Sequence, residues 1–231
     1  MRVLGHRGCV HPGPENTVAA VRAAMGAGAD GVEVDVRRSA DGVLMCSHDP
    51  VVQGLTVLAT TATELGRRVV PTVAQVRAAA GPRATVVLEV KNIPGQPDFD
   101  APAEATAHSL VGELAGLTPQ DRAGVVVSSF DWFALDVVRE SGLEVPVAFL
   151  TLPLVAVKAG VAYAVDHGYA QLHASVQAVL ADRDSVRRAH DVGLQLVAWT
   201  VADTVVALRL RDQGVDAVIC DDPAAVVTAL A

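Results

Sequence analysis

The chain has 231 residues, 51% of them apolar, and a formal net charge of -8 from 18 Lys and Arg against 26 Asp and Glu. That apolar fraction excludes a disordered chain, and the length suffices for one domain with a large core. The acidic balance, with no cluster of Lys and Arg, excludes a nucleic-acid or anionic-membrane surface, either of which needs a basic patch. No apolar run is long and charge-free enough to cross a bilayer. The first expected strand starts almost at Met1, which leaves no room for a signal peptide. The three cysteines, Cys9, Cys46 and Cys220, show no metal-type spacing and read as reduced, small hydrophobes. The expectation is a cytoplasmic protein without stable membrane insertion.

Taken in order, branched-aliphatic runs at 2–5, 31–36, 85–90, 124–128, 146–150, 170–173, 195–199 and 217–220 predict eight strands. Helical patterns fall between them at 17–26, 72–80, 103–114, 131–140, 182–191, 203–213 and 223–230. Several open on Asp, Asn or Thr in a capping position and end near Gly. Eight strand and helix units predict a (β/α)8 barrel with a short insertion after the second strand. A doubly wound open sheet is the runner-up, but no GxGxxG loop supports it.

Three stretches break the alternation. Residues 38–48 read as a hairpin turning at Ser39-Ala40-Asp41-Gly42 and carrying His48 back over the strand end. Residues 49–70 have weak periodicity and read as a loop inserted over the barrel mouth, and 92–102, rich in Pro, Gly and Asp, as a second surface loop. The pairs Arg37-Arg38, Arg67-Arg68 and Arg187-Arg188 read as solvated faces.

The most telling run is Gly31-Val32-Glu33-Val34-Asp35-Val36-Arg37. Side chains alternate along a strand, so Glu33 and Asp35 share one face and the valines the other. Two readings stand: an edge strand with its acidic face in water, or an inner face whose carboxylates are neutralised by a cation or a shared proton. In a (β/α)8 barrel the chemistry sits at the C-terminal strand ends, and polar residues recur there. These are His6-Arg7, Glu33 and Asp35, His48-Asp49, Glu89-Val90-Lys91, Ser128-Ser129-Phe130, Trp199-Thr200 and Asp221-Asp222.

Glu33, Asp35 and Glu89 offer oxygen ligands to a hard divalent metal ion, with Mg2+ and Ca2+ both feasible and no soft set for zinc. Arg7 supplies a planar fork and Lys91 a compact charge for phosphate oxygens. His6 and His48 supply two groups that exchange protons near neutral pH, as phosphodiester cleavage requires. His173 closes the sixth strand and faces the mouth, a candidate substrate contact along with Phe130. His11 reads as a loop residue, and His108, His167 and His190 as helix residues without a role.

Read together, Gly5-His6-Arg7-Gly8, Pro14-Glu15-Asn16-Thr17, Glu33-Val34-Asp35, His48-Asp49, Pro71-Thr72, Glu89-Val90-Lys91, Ala198-Trp199-Thr200-Val201, Gly214-Val215-Asp216 and Asp221-Asp222-Pro223 resemble the ordered motifs of the glycerophosphodiester phosphodiesterase family. The resemblance runs from the first strand to the last. It implies a metal-dependent barrel enzyme that releases sn-glycerol 3-phosphate and an alcohol from a small glycerophosphodiester. It implies Glu33, Asp35 and Glu89 as metal ligands, His6 and His48 as the acid/base pair, and Arg7 and Lys91 on the phosphate. Glu15 then either reaches the metal or orients Arg7, against the plainer reading of Glu15-Asn16 as a helix cap. Trp199 matches an aromatic at the mouth that packs on the glycerol carbons; as a bare residue it reads as core.

The chain departs from the family at residues 9–13, in the short 49–70 insertion, and at Ala202-Asp203, which reads as a helix cap. The alternatives are a lysophospholipase D-like enzyme, which wants an apolar docking element, and a catalytically silent phosphate-binding barrel. Head group, oligomeric state, the roles of the two histidines, and the choice between water attack and a cyclic phosphate stay open.

Overall fold

Described here from a computed structural model, the structure covers residues 1–9 and 13–231. His11 lies outside the described residues. The strands follow the chain as β1 (Arg2–His6), β2 (Gly31–Arg38), β3 (Leu44–Cys46), β4 (Val51–Val52), β5 (Leu55–Thr56), β6 (Thr85–Val90), β7 (Val125–Ser129), β8 (Val147–Leu150), β9 (Gln171–Ser175), β10 (Gln195–Val201) and β11 (Ala217–Cys220). β1, β2 and β6 to β11 pair in parallel, each with the next, and β1 pairs with both β2 and β11. The eight therefore close into the expected barrel.

Alternation divides the strand residues between two cores. Val32, Val34 and Val36 face outward, fully buried, in the large layer under the helices. Burying a side chain of this kind stabilises the fold by roughly 1.5–3 kcal/mol. Inside, Leu4, Val87, Val126, Ala148, Val197 and Ile219 fill the barrel. Leu4, Val87, Val126 and Ile219 each stand two residues before a polar residue, His6, Glu89, Ser128 and Asp221, so an apolar plug lies beneath a polar rim.

The helices are α1 (Val18–Gly26), α2 (Ala62–Arg67), α3 (Val73–Ala80), α4 (Ala105–Ala115), α5 (Pro119–Arg122), α6 (Trp132–Glu140), α7 (Val157–Asp166), α8 (Val176–Ala181), α9 (Ser185–His190), α10 (Thr204–Gln213) and α11 (Pro223–Leu230). Their caps are those the composition suggests. Thr17 accepts from the Ala20 N–H, Asp131 from Phe133, and Asp203 from Val206, while Thr72 and Gln75 form a reciprocal capping box. Helix α7 escaped sequence reading because Ala156 at its start caps nothing. It also carries Gly160, where a Cβ would stand 2.8 Å from Leu172 Cδ1, so close packing on β9 overrides glycine's poor helix propensity. Helix α8 was unforeseen as well, and the single helix expected over 182–191 is the shorter α9.

The hairpin is present, with β3 antiparallel to β2 and Val36 opposite Cys46. The insertion is not a structureless loop. It holds the β4–β5 hairpin, a 3-10 turn at Val57–Ala59 and α2, and it packs Val57, Leu65 and Val70 on Met45 as a small core of its own. Elements of two to six residues are too short to show a period, which is why the stretch reads as loop.

Candidate active site

Strand register assembles the site. His6 on β1 stands beside Glu33 on β2, Asp35 beside Glu89 on β6, and Glu89 beside Ser128 on β7. The acidic face of β2 is thus the inner face, and the edge-strand reading falls away. Glu33, Asp35 and Glu89 are buried, and one carboxylate oxygen from each lies within 4.8 Å of the others. Like charges so close resist ionisation. Burial and then Asp35 push Glu33 up to about 8, and burial raises Glu89 despite Lys91. Asp35 runs the other way: burial opposes ionisation, but Lys91 and Arg7 outweigh it and hold the carboxyl below its usual range.

Glu33 Oε2 accepts the Arg7 N–H at 3.1 Å, while the buried Glu33 Oε1 has no hydrogen-bond donor. An orphaned acceptor among three carboxylates with oxygen donors alone fits a hard divalent cation.

Lys91 is buried with its ammonium 2.8 Å from Asp35 Oδ1 and in contact with Glu89 Oε1. It pairs with the acidic cluster and lines the same cavity as Arg7. The Arg7 guanidinium bridges Glu15, at 2.8 Å to both oxygens, and Asp35, at 3.2 Å. Glu15 is exposed and stands outside the carboxylate cluster, which corrects its candidacy as a metal ligand in favour of orienting Arg7. Backbone geometry explains the exchange. Asn16 adopts φ 55°, and it is Asn16 that turns inward to donate to Asp35 Oδ2 at 2.7 Å and accept the Asp35 N–H at 3.0 Å. The helix cap falls to Thr17. The tight turn after His6 needs Gly8, whose φ is +88° and where a Cβ would stand 2.6 Å from the Ala20 carbonyl carbon.

Both histidines are held through Nδ1 by a carboxylate, His6 by Asp221 at 2.6 Å and His48 by Asp49 at 2.8 Å. In each ring this leaves Nε2 for proton exchange. Burial lowers the His6 pKa, but the Asp221 hydrogen bond and the nearby Glu33 outweigh it, and the net direction is up. The His48 carbonyl accepts from Arg37 Nε at 3.1 Å and Nη2 at 2.6 Å, and Arg37 also binds Gln96 at 2.7 Å and pairs with Asp98. Arg37 is fully buried, contrary to the solvated face its sequence suggests.

These groups converge on a cavity of about 100 Å³ at the C-terminal mouth of the barrel. His6, Arg7, Glu33, His48, Glu89 and Lys91 line it together with Phe130, His173 and Trp199. Phe130 and Trp199 meet edge to face with ring centres 5.5 Å apart, and Trp199 Nε1 donates to the His173 carbonyl at 3.2 Å. His173 is fully buried in the cavity floor, and burial drives its pKa down to about 3, so it is a neutral ring.

The sequence matches the Glycerophosphoryl diester phosphodiesterase family over residues 6–225. The chain belongs to that family. A glycerophosphodiester phosphodiesterase of Caldanaerobacter subterraneus subsp. tengcongensis is 28% identical across 96% of this chain and 94% of its own. Among solved structures, an Oleispira antarctica phosphodiesterase in complex with the product sn-glycerol-3-phosphate superposes with a TM-score of 0.85 at 26% identity, covering 100% of this chain and 96% of that one. The glycerophosphodiester phosphodiesterase of Thermotoga maritima gives 0.81 at 26% identity over 99% and 97% of the two chains.

As a member of the glycerophosphodiester phosphodiesterase family, the chain is a phosphoric diester hydrolase. Three residues that support its site escaped sequence reading in that role: Asp221, Asn16 and Arg37. Asp221 was noted at a strand end, and its link to His6 follows only from closure of the barrel, which sets β11 beside β1.

Proposed function

We propose that this chain hydrolyses small glycerophosphodiesters to sn-glycerol 3-phosphate and an alcohol, with Glu33, Asp35 and Glu89 holding Mg2+ or Ca2+. The observation that carries the reading is one cavity lined by two carboxylate-oriented histidines, a guanidinium and the carboxylates of Glu33 and Glu89, which cluster with the buried Asp35 behind them. A divalent ion together with the Lys91 ammonium balances the three carboxylate charges. When bound, such an ion polarises a phosphoryl oxygen and stabilises charge that builds up in the transition state, a contribution of several kcal/mol.

The remaining chemistry belongs to the side chains. Arg7, fixed by Glu15 and Asp35, presents its planar fork to the phosphate, with Lys91 as a second cation beside it. His6 and His48 exchange protons through Nε2, one activating the attacking oxygen and the other protonating the leaving alkoxide. Asp221 and Asp49 fix the two rings through Nδ1, and Asp221 also favours the charged form of His6. Trp199 and Phe130 form an apolar wall for the glycerol carbons, and His173 is the neutral floor.

No helix among the described residues is long and apolar enough to cross a membrane, and Cys46 and Cys220 are buried thiols outside any disulfide. Thiols of this kind suit a reaction in the reducing cytoplasm. The test is release of glycerol 3-phosphate from glycerophosphodiesters with choline, ethanolamine, glycerol and inositol head groups. The expected result is turnover that a strong chelator abolishes and Mg2+ or Ca2+ restores. Turnover indifferent to chelation removes the metal, and no turnover of any member removes the reading.

A further inference from the structure

Beneath the charged cavity, a line of polar side chains runs through the barrel interior and ends on His173. Arg2, Thr85, Gln171 and Gln195 are the first residues of β1, β6, β9 and β10, at the end of the barrel opposite the mouth. The Arg2 guanidinium donates to Thr85 Oγ1 at 3.3 Å and to Gln195 Oε1 at 3.2 Å. Gln171 Nε2 donates to the same Gln195 oxygen at 2.9 Å, and Gln171 Oε1 stands 3.0 Å from His173 Nε2.

The far end of this line fixes the sense of every bond in it. A guanidinium has N–H donors and no acceptor, so the Gln195 atom that faces Arg2 is the carbonyl oxygen. That oxygen takes the Gln171 amide N–H, which leaves the Gln171 carbonyl turned to His173. The imidazole proton is therefore on Nε2, and Nδ1 is a bare lone pair. Gln171 precedes His173 by two residues on the same face of β9, farther from the mouth. The two nitrogens of an imidazole point to nearly opposite sides of the ring. With Nε2 turned down on Gln171, Nδ1 turns up toward the cavity that His173 lines. Nδ1 is buried and has no hydrogen-bond partner among the described residues. Burial keeps the ring neutral, so no proton takes up the lone pair near neutral pH. A buried acceptor left bare is costly, and it marks a place where a donor arrives.

The strand order narrows the donor. His173 stands outside the cluster of Glu33, Asp35 and Glu89, so it is not one of the cation's ligands. Around the closed barrel β9 lies diametrically opposite β2, which carries Glu33 and Asp35. A molecule whose phosphate sits on the charged side therefore reaches His173 with its far end. A phosphodiester has no proton to donate near neutral pH, and the donors of a glycerol unit are its two hydroxyls, of which the terminal one is farther from phosphorus. Resting on the activity proposed above, we infer that His173 Nδ1 accepts a hydrogen bond from the terminal hydroxyl of the substrate's glycerol unit, with Arg2, Gln195 and Gln171 as positioning residues that hold the ring in this tautomer. The site then selects glycerol units whose terminal hydroxyl is free. An ester or a hydrogen atom in its place offers no donor and leaves Nδ1 unpaired.

The experiment compares choline release from glycerophosphocholine and from the analogue with propane-1,2-diol in place of glycerol, which lacks the terminal hydroxyl and keeps the one beside the phosphate. In the wild type the analogue is expected to have a kcat/KM about 10–100-fold lower, and His173→Leu to bring the two substrates close together. Gln195→Glu, which still accepts, keeps the discrimination. Gln195→Lys, which can only donate, shifts the imidazole proton toward Nδ1 and weakens the discrimination from the other end of the barrel. Nitrogen-15 NMR of the histidine-labelled protein reads the tautomer directly. His173, recognised as the ring that stays neutral in mild acid, is expected to carry its proton on Nε2, and its Nδ1 resonance to move with glycerol 3-phosphate and not with propane-1,2-diol 1-phosphate. Equal turnover of both substrates by the wild type, or a folded His173→Leu variant that discriminates as the wild type does, overturns the inference and leaves the proposed activity standing. A proton on Nδ1 in the wild type overturns it as well, and a Gln195→Lys variant with unchanged tautomer and discrimination removes the positioning role. If His173→Leu does not fold, the NMR titration of the wild type decides. Turnover of neither substrate removes the proposed activity and the inference with it.

Discussion

The loops and strand ends of β1, β2 and β6 crowd His6, Arg7, Glu33, Asp35, Glu89 and Lys91 into the barrel mouth, while the stretches after β7 and β8 present Trp132, Phe133 and Leu152 to solvent. The charged half is buried and locked by strand register; the apolar half is open and carried mainly by loops. Carboxylates held at mutual repulsion need rigid strands and many hydrogen bonds, which Asn16, the Arg7 backbone and Lys91 provide. The exposed apolar groups on the rim carry no such charge and need no such support. Position in the fold therefore separates a buried, hydrogen-bonded charged half from an open apolar one.

Removing an imidazole from the charged half should have the largest effect. His6→Ala and His48→Ala are each expected to lower kcat by about 10²–10⁴, the usual contribution of a general acid or base, with an unchanged melting temperature. Wild-type rates in both variants would take the histidines out of the reaction.

The support of that half comes next. Arg37→Met leaves Asp98 buried without its partner and frees the His48 carbonyl, so a loss of about 3–5 kcal/mol in unfolding free energy is expected. Because His48 loses its anchor, kcat should fall even at temperatures where the variant is fully folded. Chemical denaturation and steady-state rates at one temperature read the two effects separately, and a stable variant with normal kcat would contradict the link.

The smallest effect is expected beneath the apolar half, where Glu104 accepts from Asn92 at 2.9 and 3.0 Å and neighbours Asp131. Burial, then Asp131, raises its carboxyl from 4.5 to about 7. The folded state holds this proton more tightly than the unfolded chain does, so its stabilisation is complete below about pH 4.5 and is lost as pH rises through 7. Glu104→Gln removes the dependence. It should melt higher than the wild type at pH 8 by an amount on the order of 1 kcal/mol, or about 2–4 °C, and lose most of that advantage at pH 5. An equal difference at both pH values would place the effect in packing.

The two halves were not equally legible in the sequence. Glu33 and Asp35 stood out because acids two apart in a valine strand have no place in a core, and family motifs fixed their neighbours. Arg37 misled, since its partners Gln96 and Asp98 lie 59 and 61 positions away in an irregular stretch with no period to reveal it. Asn16 and Glu15 exchanged roles through one left-handed φ that composition does not encode. The apolar half was invisible for a related reason. Phe99, Phe130, Phe133 and Leu152 come from three separate connections, and only closure of the barrel sets them side by side.

The central claim is that Glu33, Asp35 and Glu89 form a cation site, and calorimetric titration with Mg2+ and with Ca2+ tests it without reference to turnover. One ion bound per wild-type chain is expected, and none in Asp35→Asn, which keeps the shape of the side chain and its contact with Asn16. A wild-type chain that binds neither ion, or an Asp35→Asn variant that binds as the wild type does, would contradict the account.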